Sequence, residues 1–235
     1  HTLHRRDPYG ESSKMIGVTF DTKLTMGLEV DSLREECSWK VAQLLRLELL
    51  FLYMQQVLGV IEYRTAAVYH AADSVLEPLD VVQRRVIRSA GMTELDALMA
   101  GNLAPLKTRR DIAMLGLLHR QVLGKGPPAF KSIIALSSAQ PKRFTRLSAN
   151  RHRLQLESRL AGQEQDYLKR SLYGAIEIYN LLPSYIVEQE HTVPDFQTKL
   201  QQLVKERAFA GLPDWADSLS PRVPLHCHPL LMALL

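Results

Sequence analysis

The folding options of this chain are narrowed most by residues 74–126, SVLEPLDVVQRRVIRSAGMTELDALMAGNLAPLKTRRDIAMLGLLHRQVLGKG. Ser74 with Glu77, and Thr93 with Asp96, stand three apart, the spacing of a helix N-cap and its reciprocal acidic partner. Gly91, Gly101 and Gly124 each follow a helical stretch, where a left-handed residue closes the last turn and glycine adopts it without strain. Pro105 suits the first turn of a third helix, since the N–H it lacks would have no helical partner there. Leu76, Leu79, Val82, Val86 and Ala90 recur at three- and four-residue steps, one apolar stripe along the first helix. The punctuation predicts three helices, with the 76/79/82/86 stripe packed against the apolar run 112–118. Two basic clusters accompany them: Arg84, Arg85 and Arg88 on another face of the first helix, and Lys107, Arg109 and Arg110 at the start of the third.

Upstream, Met15 to Phe20 alternates apolar with small or polar residues and carries β-branched Val18 and Thr19, which predicts a strand turned by Asp21-Thr22-Lys23. No second strand is expected; if this one closes a larger sheet, its pairing partners are absent and an edge is left exposed. Ser32 and Glu35 repeat the capping-box spacing, and Leu33, Cys37, Val41, Leu44 and Leu45 form a helical stripe. From Leu47 to Tyr63 the sequence is apolar nearly all round, which implies burial rather than a surface helix. Downstream of Gly124, residues 129–165 show little periodicity and read as a basic linker. A helix returns over 166–182, with Leu168, Leu172, Ile176, Tyr179 and Leu182 on one face, and stops at Pro183. Another amphipathic stretch spans 194–210, with Phe196, Leu200, Leu203 and Val204. Four prolines in 211–235 predict an irregular tail.

With 235 residues, 46% of them hydrophobic, the chain is able to bury a core as one domain or two small ones. The densest apolar run, Leu49 to Met54, falls far short of the roughly 18 residues that span a membrane. Cys37 and Cys227 suggest no disulfide framework, and a reducing interior, cytoplasm or nucleus, is the expected setting. The net charge of +4 is modest but uneven. Between Gln140 and Arg170 stand eight Lys/Arg against three acids, and the rest of the chain holds 21 basic and 22 acidic residues. Lys142, Arg143, Arg146, Arg151 and Arg153 in that stretch can supply sequence-independent attraction to phosphate, or form an ordinary solvated surface. Lys107, Arg109 and Arg110 sit at a helix N-terminus, where cations oppose the dipole and a bound phosphate would relieve them. For Arg84, Arg85 and Arg88 two readings stand: contact with a nucleic-acid duplex, or pairing with Glu77, Asp80 or Glu94.

Three segments in order carry a family resemblance: MIGVTFDTKLTM (15–26), LEPLDVVQRRVIRSAG with LAPLKTRRDIAMLGLLHRQVLGKGPP, and LKRSLYGAIEIYNLLPSYIVEQEHTVPDFQTKL (168–200). They resemble the end of the palm, the thumb and the closing "WN-x-LP" segment of non-LTR retrotransposon reverse transcriptases, with Tyr179 where tryptophan is usual. The family has two helices joined by a loop near the start of the thumb. Here Leu44 to Leu52 runs on without a Gly, Pro or Asn to make that loop. The resemblance implies a mainly α-helical, bundle-like thumb and post-thumb region with one N-terminal strand left from the palm. The divisions it suggests are 1–30 as the end of the palm, 31–128 as a thumb, 129–165 as a basic linker, 166–210 as a C-terminal helical segment and 211–235 as a tail. It implies an RNA template and RNA/DNA duplex as partners, beside the upstream palm of the same polypeptide, with no membrane.

Nucleotidyl transfer needs carboxylates that hold two metal ions about 4 Å apart. No two aspartates are adjacent in this sequence, and Glu35-Glu36 fall on a helix where they are expected to face solvent. Magnesium and catalysis are therefore assigned to a palm upstream of His1, and the chain alone is expected to carry no cofactor and to be inactive. His226-Cys227-His228 is too compact to close a tetrahedral metal site alone. Cys37 is expected as packed core, and His119 as a surface charge partner near a helix C-terminus. The alternative to a nucleic-acid grip is a helical protein-interaction module, or an inactive remnant of a mobile-element coding sequence.

Overall fold

A computed structural model describes residues 12–15, 17–21, 23–43, 49–137, 152–160, 166–189 and 192–234. The fold is mainly helical, as expected, and divides into two compact units, His1–Ala90 and Gly91–Leu235. The boundary falls inside the stretch read as one three-helix unit. The first of those helices belongs to one unit and the other two to the next.

The first unit opens with a hairpin. Strands β1 (Ser12–Met15) and β2 (Val18–Asp21) pair antiparallel, with Ser12 opposite Asp21 and Met15 opposite Val18. Between the strands Gly17 takes a φ of +79° that a side chain would resist. Of the strand expected over 15–20, Met15 belongs to β1 and Val18 to Phe20 belong to β2, so it finds a partner in the polar residues just before it, which extend without needing apolar side chains.

Helix α1 (Gly27–Gln43) starts five residues before Ser32, so Ser32 and Glu35 lie in its interior and form no capping box. Val30, Leu33 and Cys37 are buried along it, and burial pushes the Cys37 thiol up to about 11. A single helical run follows: α2 (Leu49–Leu52), a π-helical segment Tyr53–Leu58, and α3 (Gly59–Tyr63). Leu44 to Glu48, the site of the missing loop, lies outside the described residues. After α4 (Thr65–Val68), α5 (Asp73–Ser89) begins with Ala72 at its N-cap and no side-chain cap. Ser74 and Glu77 are therefore not a capping box either. Leu76, Leu79, Val82 and Val86 are buried as the stripe predicts, and α5 packs on α1 and α2.

The interior of this unit also holds an ion pair that periodicity does not reveal. Glu29 on α1, 1% exposed, accepts the Thr19 backbone N–H of β2 at 2.6 Å through Oε2. Arg64 Nε lies 3.3 Å from Glu29 Oε1, at ion-pair distance without hydrogen-bond alignment. The same guanidinium reaches Glu36 at 3.4 Å, and Lys40 donates to Glu36 at 2.9 Å. Glu36, expected to face solvent, is instead half-buried between two cations. The bond from Lys40, foremost, holds its carboxyl below the usual range.

In the second unit, α6 (Glu94–Gly101) carries the expected capping box: Thr93 accepts from the Asp96 N–H at 3.1 Å and its own N–H donates back at 3.0 Å. The left-handed residue that closes α6 is Asn102, φ +53°, rather than Gly101. Helix α7 (Leu106–Val122) follows, with Pro105 as its N-cap. Beyond it lie α8 (Asp166–Lys169), α9 (Leu172–Leu181), α10 (Ser184–Val187) and α11 (Val193–Phe209). Helix α7 packs on α9 and α11, so its apolar run is buried within its own unit, as the α5 stripe is within the first. The tail is not irregular: 3-10 turns at Trp215–Asp217 and Leu225–Cys227 lead into α12 (Pro229–Leu234).

The centre of this unit is aromatic. Tyr179 is fully buried, and burial pushes its phenol well above the ordinary value. Its hydroxyl lies 3.0 Å from His119 Nδ1, and the His119 ring stacks on Phe196 with centroids 4.1 Å apart. His119 is thus buried, not a surface charge partner. It completes the hydrogen bonding that a tyrosine needs in a position where apolar side chains surround it. Residues 152–160, expected to be linker, are docked onto the end of α9. Asn180 accepts the Leu156 N–H at 2.8 Å and donates to the Leu156 carbonyl at 2.9 Å. His152 Nε2 lies 2.9 Å from the Tyr179 carbonyl oxygen. Extended backbone there needs no periodic apolar pattern, which is why the sequence does not announce it.

Candidate nucleic-acid interface

Arg84, Arg85 and Arg88 end α5 but separate in role. Arg84 pairs with Glu77, the partner named by the solvated-surface reading. Arg85 and Arg88 are exposed, and no described residue gives either an acidic or hydrogen-bonding partner. They edge a groove that runs along α5 beside α1. One lobe, about 290 Å³, is lined by Val81, Arg85, Arg88 and Ser89. The adjoining lobe, about 360 Å³, shares Val81 and Arg85 and adds Pro78 and Val82 as floor, with Arg34 and Ser38 from α1 opposite. Among the described residues Arg34 makes only a long exposed contact, 3.8 Å, with Asp31. Glu77 lines the same lobe, but its charge is matched by Arg84. The local balance is therefore positive.

The second cluster comes apart. Lys107 donates to both carboxylate oxygens of Asp217, at 2.8 and 2.9 Å. That carboxylate supplies, at the α7 N-terminus, the negative charge expected from a phosphate. Arg109 is half-buried and donates to the Asn102 carbonyl at 3.2 Å. Arg110 is 5% exposed, so it does not share a surface with Lys107. Helical spacing fixes the cause: Arg110 stands four residues from both Leu106 and Met114, which are buried on the same face.

Lys142, Arg143, Arg146 and Arg151 lie outside the described residues. Arg153 is exposed, and its backbone N–H donates to the Glu188 carboxylate. Of the basic residues singled out by sequence that are among the described residues, Arg85 and Arg88 are the pair that the structure places together at a groove. Arg34, Ser38 and Ser89 join them there, and the sequence reading missed all three. Arg34 reads from sequence only as part of the polar side of α1, and nothing local shows that side facing α5.

Among the described residues no group of three or more His, Cys, Asp or Glu is placed to hold a metal ion, and no helix is long and apolar enough to cross a membrane. His226 and Cys227 are exposed in a 3-10 turn, whereas His228 is buried, so the three do not converge. Comparison with known proteins returns no matching family model, no matching curated protein and no matching solved structure.

Proposed function

We propose that this chain is the thumb and post-thumb part of a non-LTR retrotransposon reverse transcriptase, holding template and nascent duplex by phosphate contacts, with polymerisation left to a palm upstream. The observation that carries the reading is the exposed pair Arg85 and Arg88 on the basic side of α5, which no described residue neutralises. Cations so placed attract a polyanion without reading its sequence. The ordered resemblance of three segments supplies the family. The basic excess between 140 and 170 adds further attraction.

The test is a salt titration of binding to two unrelated RNA sequences and a DNA duplex. Affinity should fall linearly on a log–log plot and be nearly equal for the two RNAs. Arg85→Glu with Arg88→Glu should flatten the slope by about 0.7 to 0.9 for each phosphate that is no longer neutralised. Binding that is indifferent to salt, or a slope that the double variant leaves unchanged, defeats the reading. A second reading, a protein-interaction module, is favoured by Trp39, Phe51 and Tyr63 in the first unit, exposed to 66%, 61% and 70%. Large aromatics left in solvent are enriched where partners dock.

A further inference from the structure

The groove beside α5 has a composition that phosphate attraction alone does not explain. Its edges carry Arg85, Arg88 and Ser89 on one side and Arg34 and Ser38 on the other, and the Glu77 carboxylate that also lines it is paired with Arg84. Its floor, however, is apolar: Pro78, Val81 and Val82, with Val81 37% exposed. Apolar floor and cationic edge together suit a ligand with a flat face and phosphates beside it.

A duplex meets only part of that set. Its phosphates can reach Arg85 and Arg88, but its base faces are stacked away and cannot lie on Val81. We propose that the groove is a cleft for an unpaired nucleotide of single-stranded nucleic acid. The base lies against Pro78, Val81 and Val82, and the flanking phosphates lie on Arg85 and Arg88. The two lobes, about 290 and 360 Å³, are of the size that holds a small ligand. This rests on the nucleic-acid reading above and narrows it from duplex to strand.

The experiment uses the full 235-residue chain with a labelled oligothymidylate of about 12 nucleotides, and the same strand annealed to oligodeoxyadenylate. The single strand should bind about fivefold more tightly than the duplex, because one base face leaves water against Pro78, Val81 and Val82. Val81→Ser, at a part-exposed site, should leave thermal unfolding unchanged. It should weaken strand binding several-fold and leave duplex binding within about twofold. Val81→Tyr, which offers a ring to stack on, should strengthen strand binding selectively. Arg85→Glu with Arg88→Glu should weaken both ligands. Equal affinity for strand and duplex, or Val81 variants that move both together, overturns the cleft while leaving phosphate binding in place. Strand binding unmoved by the arginine double variant also overturns it. If the wild-type chain binds neither ligand, the nucleic-acid reading falls and the cleft falls with it.

Discussion

His228 should make the second unit acid-labile in a way that one substitution can isolate. The ring is fully buried. Its Nδ1 accepts the Leu230 N–H at 3.2 Å, so the proton resides on Nε2, which donates to the Ser220 carbonyl at 3.2 Å. Both ring nitrogens are committed to the neutral form. Burial foremost pulls the pKa down from 6.5 to about 4, with the Ser220 carbonyl opposing, Arg207 assisting and Asp214 opposing. The unfolded chain takes up its proton near pH 6.5 and the folded chain only near pH 4. Between those values the unfolded state holds more protons, so stability present above pH 6.5 is lost as pH falls. From pH 7.5 to 4.5 the loss from this group is about 2.5 kcal/mol. His228→Asn keeps an acceptor for the N–H two residues on and cannot titrate in this range. It leaves the Ser220 carbonyl without its donor, which costs about 1 kcal/mol at neutral pH. The assay is urea denaturation followed by Trp215 fluorescence in a Trp39→Phe background. The wild type should be the more stable at pH 7.5 and the less stable at pH 4.5. Carboxylates titrate alike in both proteins and cancel in the difference. Parallel loss of stability in the two proteins would refute the reasoning.

Leu79→Asp places a carboxylate at a fully buried site between α5 and its neighbours, and should unfold the first unit, read as a fall in helical circular dichroism. Arg64→Met leaves Glu29 buried without its ion-pair partner and should cost about 3 kcal/mol, measured as a lower urea midpoint; an unchanged midpoint would show that the pair contributes nothing. Arg151→Glu with Arg153→Glu should reduce affinity about equally for unrelated nucleic acids with thermal stability within about 0.5 kcal/mol, and a decrease tracked by unfolding would return them to the solvated surface. The pure chain should show no primer extension with any divalent metal, and detectable incorporation would require a carboxylate site of a different kind from the paired aspartates of a palm.

What can be read from sequence follows the physics of each signal. The α5 stripe and the Thr93–Asp96 box are local and periodic, and both stand in the structure. The Ser74–Glu77 and Ser32–Glu35 boxes have the same spacing and fail, because three-residue spacing also occurs inside helices. Pairings over long separations leave no local trace. Glu29 with Arg64, His119 with Tyr179, and Asn180 with Leu156 all join residues whose own neighbourhoods look ordinary. The candidate groove is half legible: charge marks Arg85 and Arg88, while Arg34 and Ser38 reach it only through the packing of α1 on α5.

The π-helical segment Tyr53–Leu58 carries a historical implication. A π turn is how a continuous helix absorbs one additional residue while the faces on either side keep their bearing. Leu49 before it, Tyr53, Val57 and Leu58 within it, and Ile61 after it remain on the buried side, while Gln55 and Gln56 face outward within it. A homologous helix one residue shorter, lacking one of those glutamines, would present the same inward residues as an ordinary α-helix. Insertion and deletion at this point are thus near-silent for the core. Any comparison of this chain with a relative should allow a single-residue gap between Tyr53 and Leu58 before reading the helices beyond as diverged.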